Sequence, residues 1–521
     1  MRTALLAAAL CSITAFAAPK NPVVAFFPPT SNDVRLQQLA LLMEARASEL
    51  VEETNKVSEL HLKQTLRVIN EEGFASDLRL EGNVEALRIA AGADRAVAFS
   101  LEASGDQLLL SGVTVDGKKP KPFNAKLPKA WGPALEQGSV ALAKALLAGA
   151  ALPKKTTAQP TSSNDEALQQ LGACYPVVLR QPLSVDTPAL VDGAELERAV
   201  AACQKAVELD PSLRFANAVA SLGQSILGGD AAAAKSLAAL GNADDVLEIY
   251  TLARFWLLTR YQSNEAGVAF LQDIIKRHPG ELIARAYLGD TQFALGAWAD
   301  AEKTFQAYVA LAPSSPWAQG RLSKALARQG KHTEAIAAAK KAFLLSPSSP
   351  ETRLELGSRY IDAGSLAEAQ ETLEPLSKLT PPRGEHLLRL GWAHWLEGEL
   401  DAAEAYFTRA VDTATSPGEW RTRGRAAYDL ALVEAKRGRT REAAAQLKAA
   451  YATGFKVKEL DPSLAAAAKE MERADMEKKA QSPAKTVTPR EASLFPVNAF
   501  GDVDTGAKKP PAPEGLILFR F

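Results

Sequence analysis

Side chains that carry covalent or metal chemistry are sparse in this chain, and their spacing matches no catalytic site. Phosphate-cradling glycine loops, GxSxG elbows, HExxH helices and CxxC pairs are all absent from the sequence. The five histidines are scattered, at His61, His278, His332, His386 and His394. We therefore expect no enzyme activity, metal or cofactor. The alternative is an enzyme site near Asp94 or Asp106, and loss of turnover on mutating either residue would reveal it.

Two cysteines, Cys174 and Cys203, remain after the N-terminal segment, and each lies in a stretch with helical apolar spacing. If the chain is exported, an even pair in an oxidising compartment predicts a disulfide that joins two neighbouring helices. The alternative is two buried free thiols, because cysteine also packs well in apolar cores.

A repeat of 34 residues positions most of the other side chains. Gly296, Gly330, Gly364 and Gly398 follow one another at this interval. An alanine stands five residues after each of these glycines, and prolines keep the same period. Each period predicts two amphipathic helices joined at the glycine and ended by the proline. One such hairpin cannot bury both of its faces, so we expect the units to stack into a solenoid.

These residues resemble the tetratricopeptide repeat (TPR) family, with a small residue in the first helix and a bulky one in the second. In the best unit Gly289 and Ala301 are the small residues, and Phe305 and Tyr308 fill the seam. We number the repeats one to seven, at 214–247, 248–281, 282–315, 316–349, 350–383, 384–417 and 424–457. The resemblance implies a mainly α fold, a right-handed α-solenoid.

In the TPR family, certain positions of the first helix line a concave groove in which peptides lie. The resemblance implies that the groove residues are Phe215, Leu222, Ile249, Trp256, Arg260, Phe293, Trp317, Lys324, Arg328, Trp392, Trp395, Tyr428 and Lys436. Because tryptophan and arginine carry much of the energy of protein interfaces, we expect this surface to bind partners. The family's carboxylate-clamp asparagines are replaced, so an extended apolar segment or an amphipathic helix is the expected ligand.

Residues 19–150 alternate predicted strands and helices and are expected to form a small α/β domain. Strands are predicted at 22–27, 77–80, 95–101 and 107–115, and helices at 33–54, 57–72, 84–91 and 133–147. Val23 to Pro28 and the stretch Ala90-Ala91-Gly92-Ala93-Asp94 resemble the N-terminal α/β domains of TolB-like and CsgG-like periplasmic proteins. That resemblance implies protein association in the envelope.

The first 18 residues are typical of a secretory signal peptide. Arg2 precedes an apolar stretch, and Ala15-Phe16-Ala17 predicts cleavage near Ala17/Ala18. The alternatives are a buried first helix and a lipoprotein modified at Cys11. No other apolar run reaches the roughly 18 residues that a membrane span needs. We expect a periplasmic protein, with outer-membrane association left open.

Proline-rich segments divide the rest of the chain. Residues 151–164 are expected to be a linker between the two domains, and residues 165–480 to form the solenoid with a capping helix. Residues 481–521 form a proline-rich tail. It ends in a strand-like segment with apolar residues Leu516, Leu518, Phe519 and Phe521. This segment is expected to dock on its own chain, to add to a sheet edge of a partner, or to be disordered.

The sequence therefore predicts a non-enzymatic periplasmic scaffold that binds other envelope proteins through the solenoid groove. The resemblances imply a part in an envelope machine for secretion, pilus assembly, gliding motility or polysaccharide export. The net charge of −1 disfavours nucleic acid as a partner, since nucleic-acid binding calls for a basic patch. The alternative function is a ligand- or peptidoglycan-associated binding module that uses the N-terminal domain.

Overall fold

The computed structural model describes residues 21–54, 56–60, 65, 69, 81–148, 151–179, 193–239, 247–415, 419–457 and 459–481. An α/β region comes first, and a series of α-helices follows it. The α/β region contains β1 (Val23–Phe26), α1 (Val34–Glu52), β2 (Ser58–Leu60), α2 (Glu81–Ala91), β3 (Arg95–Ser104), β4 (Gln107–Val115), β5 (Lys121–Leu127) and α3 (Trp131–Leu147). The predicted signal peptide, Cys11 and the predicted C-terminal strand lie outside the described residues.

The sheet has the order β2-β1-β3-β4-β5, with β1 parallel to β2 and β3, and with antiparallel pairs β3–β4 and β4–β5. One face of the sheet packs on α1 and α3, and the other face packs on α2. Both faces are apolar because both are covered. Helix α1 begins where predicted, since the Asp33 carboxylate accepts hydrogen bonds from the backbone N–H groups of Arg35 and Leu36.

The sequence analysis placed the start of one helix wrongly and missed one strand, although residues 65 and 69 of the predicted helix are helical. Residues 58–60 form strand β2, paired in parallel with Val23–Ala25, although a helix was predicted over 57–72. The sequence analysis also missed β5, whose polar outer residues and proline hide the apolar alternation of a strand. The strand predicted at 77–80 lies outside the described residues.

Helical hairpins occupy the rest of the described chain, which confirms the predicted solenoid of mainly α class. The helices are α4 (Asp165–Leu179), α5 (Gly193–Leu209), α6 (Arg214–Ile226), α7 (Asp230–Ala238), α8 (Leu247–Tyr261), α9 (Asn264–Arg277), α10 (Leu282–Ala294), α11 (Trp298–Leu311), α12 (Pro316–Ala327), α13 (His332–Leu345), α14 (Pro350–Asp362), α15 (Leu366–Leu373), α16 (Gly384–Glu397), α17 (Leu400–Thr413), α18 (Trp420–Lys436), α19 (Thr440–Ala452) and α20 (Ala465–Gln481). Short 3₁₀ segments cover Glu374–Lys378 and Pro462–Leu464.

In repeats three, five and six, the glycine of the first helix sits directly against the second helix of the same repeat. A Cβ atom at Gly289 would lie 2.5 Å from the Phe305 ring, and one at Gly391 would lie 2.4 Å from the Phe407 ring. Where serine replaces this glycine, as at position 323, its hydroxyl donates a hydrogen bond to the second helix. Ser323 donates to the backbone carbonyl of Ala335 at 2.9 Å. The spacing of small and bulky residues therefore sets how closely the helices of a hairpin approach.

Residues 151–164, predicted as a linker between two domains, contact the α/β region in the structure. The Arg46 guanidinium of α1 donates to the backbone carbonyl of Ala158, whose side chain is buried. Glu53 accepts hydrogen bonds from the backbone N–H and the hydroxyl of Thr157. The carboxylate of Asp165 in α4 accepts the backbone N–H groups of Trp131 and Gly132 at the start of α3. The segment is thus fixed between the sheet and the first hairpin.

The α/β region and the first repeats share their hydrophobic core. One cluster runs from the sheet through α1 and α3 into α4, α5, α6, α8 and α10. A second cluster joins the opposite face of the sheet and α2 to Leu282, Ala286, Tyr308, Ala312 and Ala318 of repeats three and four. Most of these solenoid residues lie where α11 ends and where α10 and α12 begin. The α/β region therefore packs along one edge of the solenoid.

Candidate protein-binding groove

The predicted groove residues divide into a buried group and a group that reaches solvent. The buried side chains are Phe215, Leu222, Ile249, Trp256, Trp392 and Tyr428. Those that are half-buried or exposed are Phe293, Trp317, Lys324, Arg328, Trp395 and Lys436. Arg260 belongs to α8, but its side chain lies outside the described ones. The expected surface of four exposed tryptophans is therefore corrected, because Trp256 and Trp392 are only 7% and 6% exposed.

In repeats one and two, the first-helix residues are buried because the core shared with the α/β region extends to them. Phe215 packs edge-on against Tyr175 of α4, with ring centroids 5.1 Å apart. Trp256 and Ile249 belong to the same cluster as the sheet. These side chains hold the fold together and present no surface to a partner.

Trp317 is also a packing residue. Its ring lies 6.1 Å from Phe305 and 5.1 Å from Tyr308, and it contacts the cluster that includes the second face of the sheet. The Arg321 guanidinium lies 5.5 Å from the Trp317 ring and forms an ion pair with Asp290 at 3.2 Å. The tryptophan thus helps to join repeat four to the α/β region.

Trp392 is fixed by a buried polar network in repeats six and seven. Its indole N–H donates to the carboxylate of Asp429 at 2.8 Å, and Arg425 pairs with the same carboxylate at 2.9 Å. The Arg425 guanidinium also lies 5.1 Å from the Trp392 ring. Burial raises the pKa of Asp429 to about 6, against the opposing effects of Arg425 and Trp392. This network sets the packing of α16 against α18.

Among the groove positions whose side chains are described, those that reach solvent lie in repeats three, four, six and seven. The Lys436 ammonium lies 4.7 Å from the centroid of the half-buried Trp395 ring. Leu396, next to Trp395 at the end of α16, is 46% exposed. Leu396 follows Trp392 by four residues, so both lie on one face of the helix. Lys324, 37% exposed, pairs with Glu355 at 3.6 Å and supplies a charged group on the same series of first helices.

We define the open groove as Lys324, Trp395, Leu396 and Lys436. The sequence analysis predicted three of these residues and missed Leu396. The available signal was the pair of adjacent apolar residues at the end of α16, just before Gly398. An exposed leucine beside an aromatic–cation pair is suited to an apolar side chain flanked by a negative charge.

Within the described ranges, no group of three His, Cys, Asp or Glu side chains is placed to hold a metal ion. His386 is buried, and burial lowers its pKa to about 4, so it is neutral near pH 7. Of the helices that the structure describes, none is both long and apolar enough to cross a membrane.

The two cysteines lie on the hairpin that precedes repeat one. Cys174 of α4 and Cys203 of α5 form a disulfide, with Cα atoms 5.5 Å apart. Both side chains are fully buried within the core shared by the sheet and the first repeats.

Comparison with known proteins agrees with this fold. The tetratricopeptide repeat family matches residues 262–316 and 354–419. These residues fall in the hairpins described above, and the match identifies tetratricopeptide repeats in these two stretches of the chain. Nothing matches among curated proteins. The family match does not reach residues 19–150, so the resemblance of that region to TolB-like and CsgG-like domains stays a prediction.

Three solved structures that match parts of this chain are TPR proteins. A tetratricopeptide repeat protein from Parabacteroides merdae is 16% identical, and the match covers 52% of this chain and 99% of that one at a TM-score of 0.38. A thermophilic TPR protein of Thermus thermophilus is 24% identical, with coverage of 34% and 97% at a TM-score of 0.30. YrrB, a TPR protein with an unusual peptide-binding site, is 18% identical, with coverage of 38% and 97% at a TM-score of 0.28.

Proposed function

We propose that this protein is a non-enzymatic adaptor that binds a partner protein through the open groove of its C-terminal repeats. A TPR solenoid is a scaffold for protein–protein interaction. The observation that carries the proposal is the exposed Leu396 beside the Trp395–Lys436 pair, on repeats that the α/β region leaves uncovered. Exposed apolar residues next to aromatic and cationic groups are typical of partner sites.

The chemistry of the open groove favours an apolar segment that carries a carboxylate. Leu396 and the edge of Trp395 offer apolar contact, and the exposed Lys436 offers a positive charge. An amphipathic helix or an extended segment can place an apolar side chain and an acidic one at this spacing. The partner would therefore be a protein with such a segment accessible on its surface.

The cellular setting belongs to the same proposal. The signal-like first 18 residues and the cysteine pair support export to the bacterial periplasm. There the adaptor would join proteins of an envelope machine for secretion, pilus assembly, gliding motility or polysaccharide export. Cell fractionation of the untagged protein tests this part, and recovery in the cytoplasm with the N-terminal segment intact would contradict it.

The groove is tested by site-specific photo-crosslinking in the cells that make the protein. A photoreactive residue at Leu396 is expected to give discrete protein adducts that mass spectrometry identifies. Leu344 of α13 is the matched control, because it is a leucine of the same solenoid that is 74% exposed. Leu396→Asp combined with Lys436→Glu should abolish capture, whereas Leu344→Asp should leave it unchanged.

Equal adducts from both probe positions would mean that Leu396 contacts proteins only by chance, and the groove proposal would fail. The buried Trp256 and Trp392 are unsuitable for this test, because truncating a buried tryptophan costs about 3–5 kcal/mol of stability. Loss of capture in those variants would report unfolding rather than binding.

A further inference from the structure

A second surface for a partner lies on the α/β region, far from the open groove in sequence, at the free edge of strand β5. The sheet order places β5 at one end, paired with β4 alone. The opposite end of the sheet, β2, contacts helix α10 of the solenoid, so that edge is covered. Among the described residues, no strand pairs with the outer side of β5.

The sheet register shows which backbone groups of β5 point outward. Phe27 and Thr30 donate backbone N–H bonds to the carbonyls of Val97 and Phe99, so these β3 residues direct their hydrogen bonds toward β1. The intervening residues of β3 therefore pair with β4 by hydrogen bonds, because hydrogen-bonding direction alternates along a strand. The cross-strand partners of β3 with β4, and of β4 with β5, then show which residues of β5 form hydrogen bonds with β4.

On β5, Lys121, Phe123, Ala125 and Leu127 consequently direct their hydrogen bonds inward to β4. Asn124 and Lys126 direct their backbone N–H and C=O groups away from the sheet. Pro122 lies at the next outward position, where its missing N–H breaks no bond of the ladder. The side chains of Pro122, Asn124 and Lys126 are all exposed. The edge thus offers a short, regular set of donors and acceptors to an added strand.

This edge is strongly basic. The exposed lysines around β5 are Lys118, Lys119, Lys121, Lys126 and Lys129. Asp116 pairs with Lys121 at 3.3 Å, and the fully exposed Asp106 lies 4.0 Å from Lys129. Five lysines therefore stand against two aspartates around the strand. An acidic segment lying here would meet both backbone partners and opposite charges.

We propose that the β5 edge binds an extended acidic segment of a partner protein as an added strand. Backbone hydrogen bonds to Asn124 and Lys126 would set its register, and the surrounding lysines would select for glutamate or aspartate. Strand addition at an exposed edge is a recurrent mode of peptide recognition. A competing explanation is that the lysines only protect the edge from aggregation. A binding measurement separates the two.

The experiment measures binding of a fluorescently labelled synthetic peptide, alternating glutamate and threonine, to the full chain by fluorescence anisotropy. Binding is expected at low salt and should weaken as ionic strength screens the charges. A peptide with glutamine in place of glutamate should bind at least about tenfold more weakly, because it lacks the charges that the lysines recognise.

Asn124→Pro removes an outward N–H without removing a hydrogen bond to β4. It should weaken binding of the glutamate peptide at least about tenfold, through the lost hydrogen bond and the steric effect of the ring. Asn124→Ala is the matched control, because it keeps the backbone N–H and should bind as the unaltered protein does. Thermal melting followed by circular dichroism checks that each variant is folded.

Reversing Lys118, Lys126 and Lys129 to glutamate leaves every backbone group in place and should abolish binding. This variant keeps the test decisive if Asn124→Pro does not fold. Equal binding by Asn124→Pro and Asn124→Ala would overturn strand addition and leave a surface that attracts any polyanion. Absence of binding by the unaltered chain would overturn the proposal and leave the lysines as edge protection.

Discussion

The two ends of the solenoid use the same repeat in different environments. In repeats one to four, first-helix residues such as Phe215, Trp256 and Trp317 lie in clusters that continue into the sheet. The hydrophobic clusters of repeats five to seven are different. Among the described residues, these clusters contain no side chain of the α/β region, residues 21–148. The described groove positions of repeats one and two are therefore interior, whereas Trp395 and Lys436 of repeats six and seven reach solvent.

A repeat pattern alone therefore does not predict which face of the solenoid is exposed to solvent. A solenoid unit contacts only its neighbours, so its stability is a sum of local terms. The α/β region packs along the solenoid edge, so it adds contacts between distant residues to the stability of some repeats only. The N-terminal repeats should then respond to changes in the α/β region, and the C-terminal repeats should not.

The largest expected effect comes from Gly92, where the α/β region contacts the junction between repeats three and four. Its φ is +74°, and a Cβ atom there would lie 2.3 Å from the Cα of Ser315. Gly92→Ala should lower the free energy of unfolding of the N-terminal part by about 4 kcal/mol, from the clash and from the left-handed backbone. Denaturant unfolding measures this loss.

Gly105 is the matched control, because its φ is +56° and a Cβ atom there would meet nothing within 4 Å. Gly105→Ala should cost only about 1 kcal/mol. Hydrogen exchange should show that Gly92→Ala loosens residues 282–327 and leaves 384–452 protected. Equal losses in the two variants would show that the junction contributes little.

The next effect concerns the disulfide, which lies at the N-terminal end only. Cys174 and Cys203 are 29 residues apart. Replacing both by alanine should cost about 3–4 kcal/mol in the chain-entropy account of loop closure, and the loss should fall on the N-terminal part. The measurement is thermal unfolding with and without a reductant. A reductant that shifts the melting temperature of the double alanine variant as much as that of the unaltered chain would contradict a role for this pair.

The smallest of the three expected effects is a pH dependence of stability in the C-terminal repeats, which arises from His386 of α16. Burial lowers its pKa from 6.5 to about 4, so the folded state favours the neutral imidazole. The difference in pKa between the folded and unfolded states makes the free energy of unfolding depend on pH. The folded state keeps its full stability above about pH 6.5 and loses part of it as the pH falls toward 4. Each pKa unit corresponds to about 1.4 kcal/mol, which gives a loss of about 3 kcal/mol at the acid end.

Denaturant unfolding across this pH range should show the loss in the unaltered chain and not in His386→Leu. The exposed His332 of α13 provides the control, and His332→Gln should keep the full pH dependence. An unchanged pH slope in His386→Leu would assign the acid sensitivity to other groups.

The hairpins could be predicted because their causes are local. Gly289 and Phe305 belong to one repeat, and their close contact follows from helix geometry and residue size. The same holds for Phe407 against Gly391. The site was predicted in part, since Trp395 and Lys436 reach the surface at positions that the family resemblance indicated. Strand β5 was missed because its sequence, KPFNAKL, is that of an edge strand with few apolar residues.

The sequence by itself determined the solenoid, because a period of 34 residues fixes which side chains meet within a hairpin and between neighbours. Only the tertiary structure decided which groove residues are buried. Trp256 and Trp392 fit the groove pattern equally well, yet the first is covered by the core shared with the sheet and the second by Asp429 and Arg425. The contacts that bury Trp256 join residues that are distant in the chain, and a local sequence pattern does not predict such contacts.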